Sequence, residues 1–258
     1  MRLLIRFMPL SRPASLPLDN YPFAGLIYRS VWMAAPDYAE FLHEEGYAAE
    51  PRGSPEPVLP EHKRFKFFVF SRIEQRGKRI AEGRQWFGPG PIEWRVASPI
   101  DEQMELLAAG LIAQGVISIG DKQGAAELGL SEIIELPTPR IMRRMRFTTI
   151  SPIFVAVDDG GPTKQHLRAE DPRFAERVKM NLLRKYRALT GTEPGNTEIE
   201  FRFDGQPKSQ LVQYRETHHH CYVGRIEVAG SEELIRLGWE CGFGEANSKG
   251  FGMVDVRS

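Results

Sequence analysis

Two Gly-apolar-Gly units stand near the end of the chain, Gly242-Phe243-Gly244 and Gly250-Phe251-Gly252, separated by Glu245-Ala246-Asn247-Ser248-Lys249. Glycine lets backbone N–H groups approach a phosphate closely, and Lys249 adds a point charge able to meet one, so nucleic acid is the first partner to consider. Asn247 and Ser248 are the other polar side chains inside the loop. A structural role is open beside this one: Phe243 and Phe251 can pin the loop to a core while the glycines let backbones pass. The loop follows a helix and precedes a strand. That is the reverse of the order in a dinucleotide fingerprint, which weakens a metabolite- or nucleotide-binding module as the reading.

Charge does not decide the partner. The 258 residues carry 34 basic and 34 acidic side chains, so any attraction to a polyanion must come from clustering. Arg140, Arg143, Arg144 and Arg146 form one basic cluster, in which Arg143 and Arg144 are candidate RNA contacts. Arg173, Arg177, Lys179, Arg184, Lys185 and Arg187 form another on one face of a helix, while acidic residues gather from Glu40 to Glu61. Solvated faces would account for either basic cluster taken alone.

His218-His219-His220 invites a metal reading, but successive strand side chains point to opposite faces, so only His218 and His220 share a side. No Asp, Glu or Cys at helpful spacing completes a shell, and neither metal nor cofactor is expected. His218 and His220 face RNA, beside Tyr222 or on a phosphate, or belong to an ordinary polar strand face. Cys221 and Cys241 have no metal-ligand spacing and read as reduced thiols. Met1 to Ile5 is apolar but Arg6 interrupts it, and no apolar run reaches the length of a signal peptide or membrane span. A cytoplasmic protein with no membrane partner is expected.

Caps and periodicity predict five helices. Asp19 or Asn20 caps a helix to about Ala34, with Phe23, Leu26, Ile27 and Val31 as its buried stripe. A shorter one runs from Pro36 to Glu45 and stops at Gly46 in a left-handed cap. Ser98 caps a third, with Pro99 at its first position and Gly115 at its end. Asp171-Pro172 opens a fourth, with Phe174, Val178, Leu182, Tyr186 and Leu189 on one face before Gly191. Ser231 caps a fifth that ends at Gly242.

Strand-like runs cover Arg2 to Met8, Phe65 to Ser71, Ile92 to Ala97, Ile133 to Leu136, Ile141 to Val157, Glu198 to Phe203, Leu211 to Val228 and Met253 to Val256. In order they give strand, helix, strand, strand, helix, strand, and then the same series again. The expected fold class is therefore α+β: tandem ferredoxin-like (RRM-like) domains, each a four-stranded antiparallel sheet with two helices. Residues 1–136 form the first and 137–258 the second, joined at Pro137-Thr138-Pro139. Gly46 to Pro60, rich in Pro, Gly and Glu, reads as a mobile insertion. Fold alone does not give function.

The stretch from Gly238-Trp239-Glu240-Cys241 through both glycine units to Met253-Val254 resembles the C-terminal signature of the CRISPR-associated endoribonucleases that cut repeat RNA into guide RNAs. Met1-Arg2-Leu3-Leu4-Ile5-Arg6-Phe7, Leu26-Ile27-Tyr28, Thr149-Ile150-Ser151-Pro152-Ile153 and Phe65-Lys66-Phe67-Phe68-Val69-Phe70-Ser71 resemble that family as well, so the likeness spans essentially the whole chain. It implies metal-independent cleavage of CRISPR precursor RNA within its repeats, with the upstream 2′-hydroxyl attacking the phosphate to leave a 2′,3′-cyclic phosphate and a 5′-hydroxyl. Its alternative is a non-catalytic CRISPR RNA-binding subunit of an effector complex. Effector-complex subunits and a second copy of the chain are further partners it admits.

Many members of that family use a His with a Tyr and a Lys. Tyr28 and His43 have the family's spacing of fifteen residues, and Lys66 opens the Phe-rich strand, with Lys63 and Arg64 near enough to replace it. Attack by a 2′-hydroxyl needs a base, an acid for the leaving oxygen, and positive charge near the phosphate. His43 fits either proton role, Lys66 the charge, and Tyr28 the orientation of the attacking hydroxyl. The glycine loop is then expected to position RNA for a cut made elsewhere, in the first domain.

Overall fold

The computed structural model describes residues 1–10, 14–48, 64–122, 124–158, 160 and 164–256. Most of the expected Gly46 to Pro60 insertion, and Lys63, lie outside them. Among the described residues there are five α-helices: α1 (Tyr21–Ala34), α2 (Pro36–Glu40), α3 (Asp101–Gln114), α4 (Pro172–Thr190) and α5 (Glu232–Cys241). None is long and apolar enough to cross a membrane.

The first sheet runs Val69–Phe70, Ile92–Ala97, Arg2–Pro9, Gly124–Glu135, Val116–Asp121, with antiparallel neighbours throughout. Alternation on the central strand sends Leu3, Ile5 and Phe7 to one face, where α1 supplies Phe23, Leu26 and Ile27 and α3 supplies Met104, Leu107 and Leu111. The second sheet runs Ile199–Phe203, Arg225–Gly230, Arg144–Thr149, Val254–Val256. Phe147, Phe201, Ile226 and Val228 bury there with Phe174, Val178 and Leu182 of α4 and Leu234, Ile235 and Trp239 of α5. Without the extra Val116–Asp121 strand, both sheets place the second, third, first and fourth strand of their series side by side.

Several expectations are corrected. The first sheet has five strands, not four, because Val116–Asp121 forms a hairpin with a strand far longer than Ile133 to Leu136. Phe65 to Ser71 is not one strand: Phe67 takes φ +52°, which splits it into Arg64–Phe65 and Val69–Phe70. Leu211 to Val228 is three strands, with Arg215 at φ +55° in the first turn. Helix α3 starts at Asp101 because Ser98 Oγ accepts from the Ile100 N–H, one turn early, rather than capping the helix. The helix after Pro36 widens at Phe41–Glu45 into a π turn and ends at Gly46 with φ 63° and ψ −170°, which is extended in ψ and not a left-handed cap.

The halves are clasped by Arg2. It is 1% exposed, its Nη2 donates to Trp239 O at 2.6 Å and its Nη1 to Val254 O at 2.9 Å, and its guanidinium lies 3.9 Å from the Trp239 ring centroid. Burial lowers its pKa to about 10, against the pull of Asp255, so it remains a cation at neutral pH.

Candidate functional site

Tyr28, His43 and Lys66, far apart in the chain, converge. The middle of α1 carries Tyr28, the π turn carries His43, and their rings meet edge to face with centroids 5.4 Å apart. Phe68 packs on Tyr28 in the same manner at 5.6 Å. Lys66 Nζ donates to the backbone carbonyl of His43 at 2.7 Å, so the lysine braces the turn that presents the imidazole. Glu44 Oε1 lies 2.7 Å from His43 Nδ1 on the solvent side, a carboxylate able to orient the ring.

Electrostatics distinguishes the three. Burial raises the Tyr28 pKa, with Tyr214 adding to the effect, so the phenol stays protonated and serves as a hydrogen-bonding group. Burial lowers that of Lys66, partly offset by Glu44. His43 is 65% exposed in its side chain, reachable by a large substrate.

The glycine loop is closer to these residues than expected. Asn247, Ser248 and Lys249 line, with Arg64, Lys66 and Lys185 among others, an open cavity of about 210 Å³ between the two halves. Gly242 and Gly250 have φ +87° and +84°; a Cβ on Gly242 would lie 3.0 Å from Val69 Cγ2, and one on Gly250 2.5 Å from the Phe70 ring. Both positions therefore let the loop rest on the first sheet. Asn20, at the head of α1, donates to the Lys249 and Gly250 carbonyls at 3.0 and 3.2 Å.

The loop's N–H groups serve its own fold more than a phosphate. Gly242 donates to Gly238 O, Gly250 to Asn247 O and Gly252 to Pro152 O, and Asn247 Nδ2 spans Phe243 O and Phe251 O. Asn247 is thus a buried strut, and Gly244 packs on Phe154, leaving the half-buried Ser248 and exposed Lys249 as the loop's outward groups. Lys249 Nζ lies 5.1 Å from the Tyr214 ring centroid.

Arg143, Arg144, His218 and His220 do not line this cavity. Arg144, Arg146 and Arg202 surround Glu227 on the outer face of the second sheet, with contacts of 2.9, 3.0 and 2.7 Å. Their hydrogen bonds hold the Glu227 carboxyl down to about 2. Arg143 is exposed at the head of that strand. His218 and His220 do lie on the outward side of their ribbon, where His220 Nε2 is 2.8 Å from Ser209 Oγ. Among the described residues no three His, Cys, Asp or Glu side chains converge in metal-binding geometry.

Sequence reasoning passed over three positions. His219 is 6% exposed between Phe154 and Phe251, tying the ribbon to the loop. Lys185, placed with the solvated basic face of α4, is 2% exposed and caps α5 by donating to Gly242 O at 2.6 Å and Cys241 O at 3.3 Å. Asn181, one turn before it, is 2% exposed on the cavity wall. The signal was spacing: Arg177, Asn181 and Lys185 recur every four residues beside the apolar stripe.

These features have known counterparts. A family model for the C-terminal part of the CRISPR-associated protein Cas6 matches residues 136–256. The CRISPR-associated endoribonuclease Cas6 1 of Methanocaldococcus jannaschii is 30% identical over 242 residues, 91% of this chain and 84% of that protein. The CRISPR-associated endoribonuclease Cas6 of Pyrococcus furiosus is 27% identical over 267 positions, covering 100% and 90%. A solved structure described as CRISPR associated protein Cas6 aligns over 100% of this chain and 99% of its own, with TM-score 0.78 and 27% identity. Likeness at this level along almost the full length of a relative means that the chain belongs to the Cas6 family of CRISPR-associated proteins.

Proposed function

We propose that this Cas6 family member is an endoribonuclease that cuts CRISPR precursor RNA within its repeats by internal transesterification. Tyr28, His43 and Lys66 carry the reaction. The observation that supports this most is their convergence, with Lys66 also lining a cavity that includes Arg64, Lys185 and Lys249 and, among the described residues, no carboxylate. The upstream 2′-hydroxyl loses its proton and attacks the phosphorus, the P–O bond to the 5′-oxygen breaks, and that oxygen gains a proton. His43 supplies one of those proton transfers, helped by Glu44. Lys66, with N–H groups beyond the one given to His43 O, stabilises the charge growing on the phosphate, and the neutral Tyr28 hydroxyl orients the sugar edge. The products are a 2′,3′-cyclic phosphate and a 5′-hydroxyl, made without a metal ion.

The strand orders support reading both units as ferredoxin-like, with residues 1–136 supplying the chemistry and 137–258 the loop that shares the cavity. Incubating the chain with repeat RNA in EDTA and mapping product ends tests the proposal. Cleavage with cyclic phosphate ends is expected; intact RNA held in a tight complex contradicts it.

A further inference from the structure

The cavity between the halves contains a side chain that the cleavage chemistry leaves unused. Asn181 projects from α4 into its wall, 2% exposed, and neither Oδ1 nor Nδ2 has a hydrogen-bond partner among the described residues. A buried carboxamide without partners destabilises the free chain, and Asn is a poor residue for a helix interior; an apolar side chain would serve packing better. On the same wall Lys66 and Lys249 supply positive charge, and Phe67 and Phe68 an apolar lining. The space, about 210 Å³, far exceeds the roughly 10–15 Å³ that one water occupies on a comparable measure.

A carboxamide offers an acceptor and a donor side by side. The edge of an unpaired nucleobase offers the matching pair, and single-stranded RNA presents such edges to proteins. The surrounding ammonium groups suit the flanking phosphates. We propose that this cavity seats one unpaired base of the RNA and that the Asn181 carboxamide reads its edge, making Asn181 a specificity-determining residue. Lys66 belongs both to the cavity wall and to the Tyr28–His43 cluster, so the base read lies at or next to the cut. This rests on the endoribonuclease reading above.

The test is binding of labelled repeat RNA, and of a panel with one base changed at a time, to the full chain carrying His43→Ala so that cleavage does not intervene. The parent should prefer one base at one repeat position by roughly 5- to 150-fold, the range of a good bidentate contact. Asn181→Leu should bring that preference to near unity while the free protein melts at the same or a higher temperature, since two unpartnered polar atoms are removed. Asn181→Asp, which replaces the donor with a second acceptor, should change which base is preferred. Either variant retaining the parental base profile overturns the assignment, as does a large fall in melting temperature for Asn181→Leu with base preference intact. Failure of the parent to bind any repeat RNA instead brings down the endoribonuclease reading on which it rests.

Discussion

Lys66 Nζ sits 2.7 Å from the backbone oxygen of His43, so the candidate phosphate-facing cation also holds the turn that presents the candidate proton-transfer group. The bond joins the start of the Phe-rich segment to the π turn after α2. A change at Lys66 therefore removes charge and loosens the placement of the imidazole together.

Replacing His43 with alanine should reduce cleavage by about 10²- to 10⁴-fold, the usual worth of a positioned acid or base. Its side chain is 65% exposed and its one ion-pair contact among the described residues is with the exposed Glu44, so the melting temperature should stay within about a degree or two. Single-turnover cleavage and thermal melting of the same preparation check both halves.

Lys66→Met should lower the rate at saturating RNA more than it weakens binding, because the lost interaction grows as charge builds on the phosphate. An effect confined to the dissociation constant would reduce Lys66 to an ordinary RNA contact.

The C-terminal half was the more legible in the sequence. Asp171-Pro172 and Gly191 bound α4, and Ser231 caps α5 through the Leu234 N–H, as their types require. The first half was less legible where tertiary contacts overrule local pattern: Phe67 turns to positive φ, and Ser98 bonds Ile100 and Gln103 instead of opening α3. Val116–Asp121 does alternate, with Ile117 and Ile119 inward, but is short and follows Gly115 at once. For the site, the Tyr28 and His43 spacing pointed to a pair that now stands in contact. Asn181 and Lys185 were hidden because a helix flank facing a second domain has the composition of one facing water.

Gly250→Ala should destabilise the chain by about 1–3 kcal/mol, since φ is +84° and the new methyl would meet the Phe70 ring and the Asn20 amide. Gly25→Ala, in open space within α1, should be neutral or stabilising. Chemical denaturation of the two variants compares them directly.

Burial lowers the His219 pKa to about 4, with Lys249, His166 and His218 adding repulsion. The folded chain thus binds fewer protons at this site than the unfolded chain between pH about 6.5 and 4, and stability falls as pH drops through that window. His219→Phe should flatten this acid-side loss, on the order of 1–3 kcal/mol, in melting curves taken from pH 7 to 4. An unchanged pH dependence would place the acid sensitivity elsewhere.

Lys249→Ala should weaken repeat RNA binding with little regard to sequence and reduce the slope of log affinity against log salt by about one. A salt titration of wild type and variant reads this directly.

Cleavage by this route needs an internal 2′-hydroxyl, activated beside Tyr28, His43 and Lys66. A repeat RNA with one 2′-deoxy nucleotide immediately upstream of the cut tests it most directly. Binding within about two-fold of the unmodified RNA and no cleavage in a single-turnover assay is the predicted result; efficient cleavage of the deoxy substrate at the same bond contradicts the account.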